Sequence, residues 1–209
     1  MIELVNVTKK FDEHVLFDGL NCQFLEGKTY ALVGQSGAGK TTLLNIIGKL
    51  ETYDMGRIMV DGIDLKTIKE KEYFLRYLSY LFQNYGLIEN KTIQENLDLA
   101  FIGRKISKSE KREQMQNALK RVNLNLDLNR KIFTLSGGES QRVAIAKTIL
   151  KDSPIILADE PTASVDEKNS DEIIELILEL KKENKIIIVA THSSRVYQQM
   201  DEIIEIKKR

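Results

Sequence analysis

Thr29-Tyr30-Ala31-Leu32-Val33-Gly34-Gln35-Ser36-Gly37-Ala38-Gly39-Lys40-Thr41 begins as a short run of β-prone, largely apolar residues and ends in a glycine-rich turn closed by Lys and Thr. The first five residues predict a buried strand. Gly34 and Gly39 bracket four residues and are followed by Lys40 and Thr41, which is the spacing of a phosphate loop. Glycines let the backbone curl until successive N–H groups point inward as an anion nest. The helix expected from Thr42 to Gly48 aims its positive end at the same point. Candidate phosphate contacts are therefore Gly34, Gln35, Ser36, Gly37, Ala38, Gly39, Lys40, Thr41 and Thr42. Lys40 would reach the β- and γ-phosphates and act in catalysis, and the Thr41 hydroxyl would ligate Mg²⁺. A dinucleotide fingerprint is excluded, because glycines at 34, 37 and 39 stand in the wrong order.

Far downstream, Ile155 to Asp159 is an apolar strand, and Asp159-Glu160 sets two carboxylates at its end. In open α/β sheets ligands bind at that edge. Asp159 is placed to hold Mg²⁺, and Glu160, one residue on, to face the γ-phosphate and orient water. Between loop and strand lies Leu135-Ser136-Gly137-Gly138-Glu139, which opens a helix running from about Glu139 to Leu150. That is a second anion-binding helix N-terminus in the same chain. One nucleotide does not easily use both within one small domain. A head-to-tail partner can bring the second to its γ-phosphate, which would close a two-fold dimer.

Elsewhere, residues 1 to about 30 read as short alternating strands, with Glu26-Gly27-Lys28 as a turn. Asp54-Met55-Gly56 and Asp61-Gly62 read as hairpin turns around Arg57 to Val60. Thr67-Ile68-Lys69-Glu70 and Ser107-Lys108-Ser109-Glu110 have capping-box spacing. Leu78 to Phe82 is another strand. From Thr92 to Arg130 no strand is predicted, and Met115, Ala118, Leu119 and Val122 recur at helical spacing. Asn169 to Glu183 is a helix with Ile173, Ile174, Ile177 and Leu180 inward. Lys185 to Thr191 is a strand, followed by a short helix and the strand Glu202 to Ile206. Continuous apolar strands alternating with helices imply a parallel sheet covered on both faces.

The length of 209 residues suits one domain. Basic and acidic residues balance at 31 each, so no global field draws the chain to nucleic acid. The one cysteine, Cys22, excludes an internal disulfide, fits a reducing compartment, and is expected to be a small buried side chain. No apolar run approaches the roughly 20 residues that span a bilayer. The N-terminal residues lack a basic leader and cleavage site, so secretion is not expected.

With these motifs in hand, the chain resembles the ATP-binding cassette ATPases across its length. The motif order is the phosphate loop, Phe82-Gln83, Leu135 to Glu139, Asp159-Glu160, Ala163-Ser164-Val165-Asp166, and Thr191-His192. The resemblance implies an α/β fold: a P-loop NTPase (RecA-like) core, an N-terminal antiparallel β subdomain, and an α-helical subdomain inserted at about residues 85–130. The whole would be one nucleotide-binding domain, residues 1–209. It also implies a homodimer that buries two ATP molecules, each with Mg²⁺, in a head-to-tail sandwich, with Ser136, Gly137, Gly138 and Glu139 on the partner's nucleotide.

The other roles implied are these. Gln83 senses Mg²⁺ and water. His192 bonds the γ-phosphate and keeps Glu160 in register. Asp166 crosses the dimer and couples the two sites. Phe11 stacks on adenine, where relatives often carry Tyr. His14 has no motif around it and is read as a surface residue. Ser140 stands where relatives often have Gln, which would weaken a sugar or backbone contact.

The segment Phe82 to Leu97 is similar to the macrolide-exporter, lipoprotein-release and bacteriocin-export branch. That implies a separately encoded permease docking near Tyr85 to Asn90, membrane contact only through that permease, and a place in the cytoplasm on the inner face of the cell membrane. Alternatives are an importer subunit and a non-transport member, such as a cell-division scaffold.

Overall fold

The computed structural model describes residues 1–163 and 165–208, and for residues 167, 168, 182 and 183 the backbone alone. β1 (Ile2–Phe11) and β2 (His14–Phe24) pair antiparallel and run 10 and 11 residues, which corrects the expectation of short strands. Register shifts between Leu4 and Lys10 explain the difference. A bulge keeps a ribbon hydrogen-bonded while it breaks the two-residue period that marks a strand in sequence. Cys22 is half-buried rather than buried, and its surroundings push the thiol up to about 12. His14 is exposed.

β3 (Thr29–Val33) leads through the glycine-rich loop into α1 (Lys40–Ile47). β4 (Met55–Val60) and β5 (Ile63–Asp64) complete a four-stranded antiparallel sheet in the order β2-β1-β4-β5. Asp61 and Gly62 form the turn between them, but Met55 and Gly56 lie in β4, not in a turn. The strand reaches back past Arg57 because Met55 pairs with Thr8 across a register shift.

α2 (Glu70–Arg76) has Lys69 as its N-cap with no side-chain bond, so the box expected from Thr67 does not form. The Thr67 hydroxyl instead donates to the Asp64 carbonyl at 2.7 Å, the local bond by which Thr competes with helix capping. β6 (Leu78–Leu81) follows. α3 (Ile93–Asp98) and α4 (Lys108–Arg121) then fill the strand-free segment. Ser107 caps α4 by accepting from the Glu110 N–H at 3.2 Å, which is only the forward half of its expected box.

The remaining elements are α5 (Gly137–Lys151), β7 (Ile155–Asp159), α6 (Glu167–Glu179), β8 (Ile186–Ala190), α7 (Ser194–Tyr197) and β9 (Glu202–Glu205). A parallel sheet runs β6-β7-β8-β3-β9. Its inner strands β7, β8 and β3 are buried and largely apolar because each face has its own core. Ile155, Leu157, Ile186, Ile188, Tyr30 and Leu32 join α1 and the antiparallel sheet. Ile156, Ala158, Ile187, Val189 and Ala31 join α3 to α6. Met115, Ala118, Leu119 and Val122, and Ile173, Ile174, Ile177 and Leu180, all enter the second core at no more than 3% exposure. Burying a side chain of this kind contributes about 1.5–3 kcal/mol, so the inserted helices are held to the sheet by packing.

Candidate functional site

Both sheets converge on the C-terminal ends of β3 and β7. The loop after β3 is tightly fitted there. A Cβ on Gly34 would lie 2.3 Å from the Ile206 carbonyl oxygen just beyond β9. Gly39 caps α1 with φ +99°, and a Cβ there would meet the Leu16 and Phe17 side chains at 2.8 Å. Only glycine meets the second requirement without strain. Lys40 folds back over the loop, with Nζ donating to the carbonyls of Gly34 at 2.9 Å and Gln35 at 3.3 Å. Its ammonium thus lies across the mouth of the nest. A cleft of about 300 Å³ is lined by Phe11, Leu16, Ser36, Lys40, Thr41 and Glu160, among others.

The two acidic residues have different surroundings. Asp159 closes β7 at 8% exposure and accepts from Thr41 Oγ1 at 3.0 Å. Burial pushes its carboxyl above the usual value, with a smaller push from Glu160; the Thr41 bond and Lys40 oppose them. Glu160 has a left-handed backbone (φ +44°), held by its N–H donating to the Ala190 carbonyl at 2.9 Å. Its Oε1 lies 2.8 Å from His192 Nδ1, at the adjoining strand end. The hydroxyl of Thr41 and the carboxylate of Asp159 are hard oxygen donors of the type Mg²⁺ takes. Among the described residues, no group of three or more His, Cys, Asp or Glu could hold a metal alone. The donor set therefore fits a cation that arrives with phosphate oxygens.

A stability prediction follows from Asp159. Its folded pKa is raised, so the ionised carboxylate costs the native state free energy above that value, and the cost fades as pH falls toward the ordinary value of 3.8. Asp159→Asn, whose carbonyl still accepts from Thr41, is expected to raise the nucleotide-free melting midpoint at neutral pH by a few degrees. The gain should vanish below pH 3.8. Thermal denaturation at both pH values checks this, and an unchanged or lower midpoint at neutral pH contradicts it.

Ser136 is exposed and caps α5 through a reciprocal box. Its oxygen accepts from the Glu139 N–H at 3.2 Å, and Glu139 Oε2 accepts from the Ser136 N–H at 2.8 Å. The Ser-Gly-Gly segment was read from sequence without this box, although Ser and Glu three apart are its signature. Behind it, buried Arg142 donates to the Val122 carbonyl at 3.2 Å and pairs with Glu172. Asp166 caps α6, accepting from the Asn169 N–H at 3.1 Å and from Asn169 Nδ2 at 2.6 Å. A Cβ on Gly138 would lie 3.5 Å from the same Asn169 side chain. The Ser-Gly-Gly helix start and Asp166 are therefore neighbours across one side chain. Ser164 of the Asp166 motif lies outside the described residues.

Phe11 joins the loop in lining the cleft, with Lys9 Nζ 4.3 Å from its ring centre. Gln83 is exposed two residues beyond β6 and does not line that cleft. Leu81 pairs with Ala158, so Gln83 emerges at the same sheet edge as Glu160. Ser140 is buried in α5 at 5% exposure, which fits the weakened contact expected of Ser at this position. In the candidate docking segment, Tyr85 and Leu87 pack against the core while Ile88 is 46% exposed. The buried Asn96 side chain fixes this loop, accepting from the Ile88 N–H at 2.7 Å and donating to its carbonyl at 3.1 Å. Sequence reading missed Asn96; an Asn inside an apolar helical pattern was the signal.

A family profile described as ABC transporter matches residues 17–163. The chain is 34% identical over 99% of its length to the macrolide export ATP-binding/permease protein MacB of Brucella melitensis, and covers 33% of that relative. It thus spans about a third of the length of the MacB relatives it matches. It is 35% identical, over 99% of its own length and 93% of the relative's, to the uncharacterised ABC transporter ATP-binding protein YvrO of Bacillus subtilis. Among solved structures it is similar to the dimeric bacterial ABC transporter cassette MJ0796, with a TM-score of 0.90 and 34% identity over 99% of this chain and 94% of that one. The same cassette has been solved as a dimer in a post-hydrolysis state bound to ADP and Pi, with a TM-score of 0.90, 33% identity and coverage of 100% and 97%.

Proposed function

The chain belongs to the ABC transporter family, and on that premise we propose that it is the ATP-binding and ATP-hydrolysing subunit of an exporter, driving a separately encoded permease. One observation carries the reading. The phosphate loop, the Thr41–Asp159 bond and the Glu160–His192 pair lie together at one sheet edge, while the capped start of α5 opens outward at exposed Ser136.

In the mechanism we infer, Lys40 leaves the Gly34 and Gln35 carbonyls and meets the β- and γ-phosphates of ATP. Loop N–H groups surround the same oxygens, and Phe11 offers its ring to adenine. Thr41 and Asp159 would hold Mg²⁺, with Gln83 approaching from β6; the cation supplies neutralisation of phosphate charge. Glu160 orients water toward the γ-phosphate and takes its proton. His192 keeps that carboxylate in place through Nδ1 and bonds the γ-phosphate through its other ring nitrogen. Across a head-to-tail homodimer, Ser136, Gly137 and Gly138 complete the partner's site, and Asp166, braced by Asn169, couples the two halves.

No helix among the described residues is long and apolar enough to cross a membrane. The protein would act at the inner membrane face through its permease, with a peptide or bacteriocin, a drug or a lipoprotein-type substrate as cargo.

The surface for that permease includes exposed Ile88 and the exposed ring of Phe133, two apolar residues whose segments are joined by the Phe133 N–H donating to the Glu89 carbonyl at 3.2 Å. Tyr85 and Leu87 are packed, so they are poor places to test docking. Ile88→Asp leaves the Asn96 bonds to the backbone intact. It is expected to abolish transport-coupled stimulation of hydrolysis while basal ATPase activity stays within about twofold. Equal loss of both activities in a folded variant would contradict the reading.

A further inference from the structure

Beside the Tyr85–Asn90 loop, a groove of about 180 Å³ lies between edge strand β6 and α5, with Phe74, Tyr80, Phe82, Lys147, Thr148 and Lys151 among its walls. Tyr80 and Phe82 stack at 4.2 Å, so one wall is a flat aromatic surface. The opposite wall carries two lysines four residues apart on one face of α5. Their ammonium groups have backbone partners only: Lys147 Nζ donates to the Gly86 carbonyl at 2.7 Å, and Lys151 Nζ to the Leu78 carbonyl at 2.5 Å. No ion pair reaches either lysine among the described residues. The arrangement is costly. Burial lowers the pKa of Lys147, and burial together with the Lys147 charge pulls Lys151 down to about 8. Like charges four residues apart on a helix repel, and this half-buried pair beside apolar walls has no carboxylate partner among the described residues.

We propose that the groove receives an acidic side chain from a short amphipathic segment of the partner permease, its carboxylate meeting Lys147 and Lys151 and its apolar neighbours lying on Tyr80 and Phe82. The proposal rests on the permease reading above and adds the chemistry of the docking segment. Apolar ring walls suit a carboxylate carried on a peptide with hydrophobic flanks; a free anion gains nothing from them. The Lys147 bond to Gly86 makes the groove continuous with the loop that presents Ile88. A carboxylate that enters therefore engages both ends of that surface.

The test uses the assembled complex of this chain with its permease. Carbodiimide coupling joins an amine to a carboxylate in contact with it: the activated carboxyl carbon forms an amide with Lys Nζ, and the reagent leaves as its urea. Peptide mapping by mass spectrometry is expected to link Lys147 or Lys151 to an Asp or Glu in a cytoplasmic segment of the permease. Lys147→Met with Lys151→Met should weaken assembly by about tenfold or more, and Lys147→Arg with Lys151→Arg should restore it, with detergent-solubilised basal ATPase activity unchanged in both.

If the complex forms but neither lysine couples and the Met variant assembles normally, the charge pairing is wrong while the docking reading stands. If Ile88→Asp leaves both assembly and coupling intact, the surface itself is wrong and both readings fall. Protection of both amines by inorganic phosphate alone, without permease, assigns the groove to a small anion and overturns the proposal.

Discussion

Glu160→Gln is expected to lower steady-state ATP turnover by about 10²–10⁴-fold, the usual contribution of a positioned general base, and to leave an ATP-bound dimer that persists. The amide has nearly the shape of the carboxylate and can still bond His192 Nδ1, now 2.8 Å away. It cannot take a proton from water. The phosphate cradle of Lys40 and the loop N–H groups is untouched, so closure proceeds and reopening stalls. The backbone supports the substitution as a clean one. A left-handed conformation costs a non-glycine residue about 1–2 kcal/mol, and Glu160 already bears it at φ +44° through its bond to Ala190. Gln inherits the same cost. Turnover by phosphate release, with dimer content by light scattering, checks both halves; wild-type hydrolysis by the variant would falsify the assignment of the base.

Ser136→Arg is expected to abolish ATP-driven dimerisation, by about 10²-fold or more in apparent affinity, about 2.7 kcal/mol, while nucleotide binding at Lys40 remains. Ser136 is exposed in the single chain, so a larger side chain meets no clash there. In the proposed closed dimer the same position would face the partner's nucleotide, where an arginine would overfill a contact made for a hydroxyl. The fold should survive. Losing the reciprocal cap costs about 1 kcal/mol, and Arg142 still anchors α5 to the Val122 carbonyl at 3.2 Å. Ser136→Ala separates the two effects, since it removes the cap without adding bulk. Undiminished dimerisation of Ser136→Arg on gel filtration with ATP would remove Ser136 from the partner's site.

The strands that carry chemistry were legible because they are apolar on both faces and end in motifs with fixed spacing. β3 and β7 were read to the residue, and the helix positions of Met115 and Ile173 followed from their period. What escaped was decided by bonds that sequence spacing only permits. Thr67 and Thr92 both precede an acidic residue by three, yet Thr67 bonds the Asp64 carbonyl and Thr92 forms the box with Glu95. The bulged length of β1, the burial of Ser140 and the loop-pinning Asn96 likewise depend on neighbours more than a helix turn away in sequence. At the site, the motifs named the parts, but the link from Gly138 through Asn169 to Asp166 exists only in the fold.

The contact between Gly34 and the Ile206 carbonyl has a consequence for biosynthesis. A ribosome makes the phosphate loop well before β8 and β9, yet the strand leading into it pairs with β8 on one side and β9 on the other. The Ile206 N–H then closes on the Val33 carbonyl at 2.8 Å. The cradle therefore has no shape until nearly all of the described chain has emerged and threaded β3 between two late strands. Such long-range pairing folds slowly. A ligand that binds only the native state stabilises only the native state, so cellular ATP would act as a proofreader of nascent chains, retaining those in which β3 has met β8 and β9.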